Sequence, residues 1–131
     1  MVGTHRRDEG QAMRLPRGER LNDLAAYDVA RHILTELGER PTLVPEHGRY
    51  RIEVNELVVR VGARGTPGRS WAPDEALRRG ADVIVGVDYT AAPPEFHVAA
   101  VSAEVRPLGW GTDATRDRWE VITGAEVRAG T

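Results

Sequence analysis

Cysteine is absent from this chain of 131 residues, which excludes disulfides, thiolate nucleophiles, iron–sulfur clusters and every zinc site built on cysteine. Lysine is absent as well, and all eighteen cationic side chains are arginine. Schiff-base chemistry, a P-loop lysine and a catalytic ammonium therefore have no residue to use. No apolar run approaches the roughly 20 residues a bilayer span requires. The first twenty residues contain Arg6, Arg7, Asp8, Glu9, Arg14, Arg17, Glu19 and Arg20, with none of the apolar core of a secretory leader. These absences lead us to expect a soluble cytoplasmic protein with no membrane partner.

What is present suits a single domain. With 40% apolar and 29% charged residues, a chain this size buries about two-thirds of the surface its unfolded form exposes, enough for a core without metal or disulfide support. The formal charge of −2 conceals a partition. Residues 1–20 carry five arginines against three acids, and residues 49–70 carry five (Arg49, Arg51, Arg60, Arg64, Arg69) against Glu53 and Glu56. Residues 21–48 and 71–105 are net acidic, and the remainder is balanced. A basic stripe of this kind suits nucleic acid, and equally a solvated surface.

Residues 1–18 mix Gly, Arg, Gln and Pro16 without periodicity and read as a flexible N-terminal arm, with residues 19–131 as the domain. From Glu19, Leu21, Ala25, Val29, Ile33 and Leu37 recur every four residues, Ala26, Ala30 and Leu34 widen the stripe, and Gly38 stops the helix they define. Pro41 to Pro45 reads as a short strand. Tyr50, Ile52 and Val54, then Leu57, Val59, Val61 and Ala63, alternate with polar residues or glycine over most of their length, giving two half-buried strands. A tight turn at Asn55-Glu56 pairs 54 with 57 and 52 with 59. That register puts Arg51, Glu53, Arg60, Gly62 and Arg64 together on the face away from Ile52 and Val59. Pro73 to Arg79 reads as a short helix, Ala81 to Val87 as a strand covered on both faces, and Phe96 to Val101 as another strand. Ala114 to Trp119 suggests a helical turn, and Val121-Ile122 a last short strand.

Several motifs fail their own chemistry. Gly62 to Ser70 has the wrong spacing and an arginine where a phosphate loop needs lysine, and Gly109-Trp110-Gly111 lacks the third glycine of a dinucleotide site. His5, His32, His47 and His97 show no metal-ligand spacing, and neither Ser70 nor Ser102 sits in a nucleophile elbow.

The layout from Arg49 to Val105 runs Tyr-Arg-Ile-Glu-Val, Val-Val-Arg-Val-Gly-Ala-Arg, Gly-Arg-Ser-Trp, Ala-Asp-Val-Ile-Val-Gly-Val-Asp and Glu-Phe-His-Val-Ala-Ala-Val. It resembles small proteins of the PD-(D/E)XK, or restriction endonuclease-like, nuclease superfamily. The resemblance implies an α/β (α+β) domain with a central mixed sheet of about five strands flanked by helices. It also implies a site in which paired carboxylates hold Mg²⁺ to activate water and polarise a phosphodiester, with a lysine beside them. Position by position, Glu53 matches the first acid and Gly62 the second, and Arg64 matches the lysine. Asn22 or Asp23 stands nearest to a further helix acid.

Glycine has no ligand oxygen and arginine does not deprotonate readily, so the resemblance implies a degenerate site without a cofactor, binding nucleic acid through Arg51, Arg60, Arg64 and Arg69, with Trp71 available to stack on a base. Two alternatives stand beside this nucleic-acid-binding or regulatory module. One is a Mg²⁺-dependent endonuclease using Glu53 and Arg64 with a migrated acid, Asp82 or Asp88. The other is an immunity- or antitoxin-like module whose acidic segments face a basic protein partner.

Overall fold

The computed structural model describes residues 19–46, 49–67, 71, 73, 75–101 and 110–124. In chain order the elements are α1 (Glu19–Thr35), β1 (Thr42–Glu46), β2 (Arg49–Val54), β3 (Leu57–Arg64), α2 (Glu75–Arg78), β4 (Val83–Asp88), β5 (Glu95–Ala100) and α3 (Glu120–Thr123). The strands form one mixed sheet in the order β1-β2-β3-β4-β5, an α+β architecture. Every neighbouring pair is antiparallel except β3 and β4, which run parallel. Parallel neighbours need a crossover, and residues 65–82 with α2 supply it.

The β2–β3 hairpin has the register the alternation predicts, Val54 opposite Leu57 and Ile52 opposite Val59. Asn55 and Glu56 both adopt positive φ, 51° and 64°, the left-handed pair whose twist matches that of the flanking strands. Ile52, Val54, Val59, Val61, Val83, Val85, Val87 and Val98 thereby face α1, which lowers Ala25, Val29, Ala30 and Ile33 onto them. This is the main core. Its far side is closed by Trp119 and Ile122 of the C-terminal segment.

Three expectations are corrected. Leu34, placed on the buried stripe, is 55% exposed, because a helix resting on a flat sheet buries a narrower arc than that eight-residue stripe would need. Val121-Ile122 lies in α3 and not in a strand. In place of a helical turn over 114–119, the chain runs along the free edge of β5: Val98 donates to the Thr115 carbonyl at 2.8 Å and Asp117 to the Phe96 carbonyl at 3.0 Å. That pairing covers part of a sheet edge that would otherwise present unsatisfied backbone groups. The N-terminal arm lies outside the described residues.

Candidate nucleic-acid interface

The sheet face opposite α1 carries Arg49, Arg51 and Glu53 on β2, Arg60, Gly62 and Arg64 on β3, Ile84, Gly86 and Asp88 on β4, and Glu95, His97 and Ala99 on β5. Registers 51↔60, 60↔84, 62↔86 and 86↔97 fix this grid. The face divides into two regions with different chemistry.

Over β4 and β5 it is sealed. Trp71 and Trp110 meet edge-to-face, ring centroids 5.5 Å apart, and pack with Ile84, Ala99, Leu77, Ala81 and Val101 into a second core. The seal depends on Gly86, where an added Cβ would lie 2.4 Å from Trp110 and 2.7 Å from Trp71. His97 is fully buried beneath the indoles, its Nδ1 2.9 Å from the Thr115 hydroxyl. Of the two readings the sequence offers for Trp71, a plug covering the sheet and a platform for a base, the structure has the plug. Gly62 is likewise covered, with Leu77 3.2 Å from where its Cβ would stand.

Over β1 to β3 the face is charged. The Arg51 guanidinium lies between two carboxylates, 3.2 Å from Glu46 and 2.9 Å from Glu53. Arg60, directly opposite Arg51, pairs with the other oxygen of Glu46 at 3.1 Å and donates to the Arg79 carbonyl. That bond brings the exposed pair Arg78 and Arg79 beside the sheet arginines. Asp82 closes this end by accepting the Val58 amide at 2.8 Å. Among the described side chains, five arginines (49, 51, 60, 78 and 79) thus stand here with three carboxylates (Glu46, Glu53 and Asp82).

The other residues singled out from the sequence fall elsewhere. Arg64 sits six positions beyond the partner of Glu53 on β3, about 20 Å along the strand at 3.3 Å per residue, so Glu53 and Arg64 do not share a site. This corrects the expectation of one catalytic spot holding both. Arg64 instead pairs with Asp88 at 3.6 Å. Asp88 also accepts the amide and hydroxyl of Thr90 at 2.9 and 2.5 Å, which is the work of a turn-capping carboxylate. Arg69 lies outside the described residues. Asn22 and Asp23 are on α1, on the other side of the sheet.

Mg²⁺ is commonly held by one or two carboxylates together with substrate phosphates; here Glu46 and Glu53 bracket the Arg51 guanidinium, and of the cross-strand pair Asp88 and Glu95, Asp88 is engaged by Arg64 and Thr90. Among the described residues no group of three or more His, Asp or Glu side chains is placed to hold a metal. No helix among them is long and apolar enough to cross a membrane. Comparison with protein-family models, with curated proteins and with solved structures finds no match.

The arginine doublet Arg78-Arg79 is the part of this surface that sequence reasoning missed. Its signal, two adjacent arginines ahead of Gly80, was present, but a segment count of net −4 over 71–105 hid it.

Burial gives the domain a pH signature. His97 and His32, the latter stacked on Trp119 at 4.4 Å, both have pKa values lowered by desolvation, with nearby carboxylates opposing the shift. Below the ordinary value of 6.5 the unfolded chain therefore binds more protons than the folded one, and stability falls as pH drops. One histidine contributes a slope of at most about 1.4 kcal/mol per pH unit over the interval between its unfolded and folded values. Urea midpoints measured from pH 7.5 to 5.5 should be flat above about 6.5 and decline below it. His32→Gln should remove part of that decline, and a profile level throughout would contradict the assignment.

Proposed function

We propose that this chain is a nuclease-like domain that has kept a phosphate-binding surface and lost the cleavage chemistry, and that it acts as a nucleic-acid-binding or regulatory module. The observation that supports this best is the position of Arg51. The Arg51 guanidinium lies between Glu46 and Glu53 with Arg60 beside it and Arg78 and Arg79 at the rim, while Gly62 and Arg64, the positions matching the second acid and the lysine of the nuclease layout, lie away from Glu53 along β3. Arginine forks match phosphate oxygens bidentately, and the local excess of arginine over carboxylate favours an anion. The carboxylates orient the cations and temper them, so binding is moderate and strongly dependent on salt.

Glu53 distinguishes this reading from the enzyme alternative. A metal-ligating Glu53 would support cleavage that Glu53→Gln abolishes. A Glu53 that screens Arg51 should give no cleavage in either form, and its neutralisation should tighten binding by about threefold at 50 mM salt, as one repulsive charge leaves a phosphate site. Fluorescence anisotropy with a labelled 20-base-pair duplex, run beside a plasmid-nicking assay with Mg²⁺ or Mn²⁺, reads both. Weaker binding by Glu53→Gln, or nicking that disappears with it, would overturn the proposal. The protein-partner alternative predicts no duplex binding even at low salt.

A further inference from the structure

We infer that the arginine surface grips nucleic acid by its phosphates alone, indifferent to base identity and without stacking, so that it favours duplex over single strand. The inference rests on the phosphate-binding reading above and deepens it.

The groups able to read or stack on a base can be accounted for one by one. The chain has three Trp, three Tyr and one Phe, and all seven are placed. Trp71 and Trp110 are wedged against each other over Gly86. Trp119 and Phe96 pack together on the α1 side, ring centroids 5.4 Å apart. Tyr89 donates to Asp28 of α1 at 2.6 Å, and Tyr27 of α1 pairs with Tyr50. The Tyr27–Tyr50 pair, with Tyr27 half exposed, stands on the α1 side of the sheet, away from the face that carries Arg51 and Arg60. Single-strand binders depend on such rings, at about 1–3 kcal/mol per stacked base.

Side-chain amides, which read adenine, are equally scarce. The side-chain amides are Gln11, Asn22 and Asn55. Asn22 is on α1, Asn55 donates to the Ile122 carbonyl at 3.2 Å, and Gln11 lies outside the described residues. The sheet arginines themselves are recessed: Arg51 and Arg60 expose 31% and 18% of their side chains. Guanidinium groups held that close to a sheet can meet phosphates on a convex duplex, but they do not reach base edges at the floor of a major groove about 8.5 Å deep. What remains is the exposed rim pair Arg78 and Arg79 beside the recessed sheet arginines, a cluster of positive charge, and the duplex offers it the denser row of phosphates.

The test uses the full chain and three fluorescein-labelled probes: a 20-base-pair A·T-only duplex, a G·C-only duplex of equal length, and a 20-nucleotide thymidine strand. Anisotropy titrations at 50 mM salt should give Kd values for the two duplexes within about threefold of each other, and a Kd for the single strand at least threefold weaker. Tryptophan emission should stay unchanged on saturation. A tenfold preference between the duplexes, tighter binding of the single strand, or emission quenched by it would overturn this inference while leaving phosphate binding intact. Absence of binding to all three probes would overturn the phosphate-binding reading itself, and this inference with it.

Discussion

Gly86→Ala should destabilise the domain by about 3 kcal/mol and lower its melting temperature by roughly 10 °C. The new methyl carbon would stand 2.4 Å from one indole and 2.7 Å from the other. Both rings are rigid and confined by Ile84, Ala99 and Leu77, so the strain cannot be relieved by turning a flexible tip. The strand cannot retreat either. β4 is buried along its whole length, with Val83, Val85 and Val87 pressed into the main core on its other side. Trp110→Phe in the Gly86→Ala background should return part of the loss, because the two substitutions act on one volume and are not additive. Calorimetry on the two single variants and the double variant checks this. A Gly86→Ala protein that melts within 2 °C of the parent would show that the tryptophans do not seal this face.

Reversing the charge at the rim should have the largest effect on binding. Arg78→Glu/Arg79→Glu should weaken duplex binding at least a hundredfold at 50 mM salt, since two attractive contacts become repulsive. Both residues are exposed, and the contact that ties this turn to Arg60 uses the Arg79 backbone carbonyl, which the substitution keeps. Circular dichroism run on the same samples checks that the fold is intact. The milder Arg78→Gln/Arg79→Gln should reduce the slope of log K against log salt by one to two units. Equal affinities for the parent and the charge-reversed protein would place the binding surface elsewhere.

Much of the scaffold was legible from residue order because local and tertiary preferences agree there. Apolar residues alternating over 50–63 around a two-residue turn fixed the β2–β3 register, and with it the shared face of Arg51 and Arg60. The unbroken run over 83–87 announced a strand covered on both sides. A period of four through Leu21, Ala25, Val29 and Ile33 announced α1. The site was only half legible, because its decisive features are meetings between distant segments. Nothing around Trp71 or Trp110 says that two loops close over one glycine of β4, and a tryptophan beside an arginine-rich loop looks equally like a stacking platform. Glu46 ends a short edge strand, yet it becomes the hinge between Arg51 and Arg60. Arg78-Arg79 reaches the sheet arginines only through the crossover that makes β3 and β4 parallel. Val121-Ile122 misled because two residues are too few to show a period.

If the proposed reading holds, a guanidinium between Glu46 and Glu53 offers a surface for phosphate and supports no metal-dependent cleavage. The most direct measurement follows one sample two ways: labelled duplex and protein are mixed with Mg²⁺, anisotropy is read at 50 and 200 mM salt, and the same DNA is then run on a denaturing gel. Binding should weaken by roughly fiftyfold between the two salt concentrations, as expected for about three phosphate contacts, with the DNA recovered whole. Binding that ignores salt, no binding at 50 mM, or strand breaks that vanish with Glu53→Gln would contradict it.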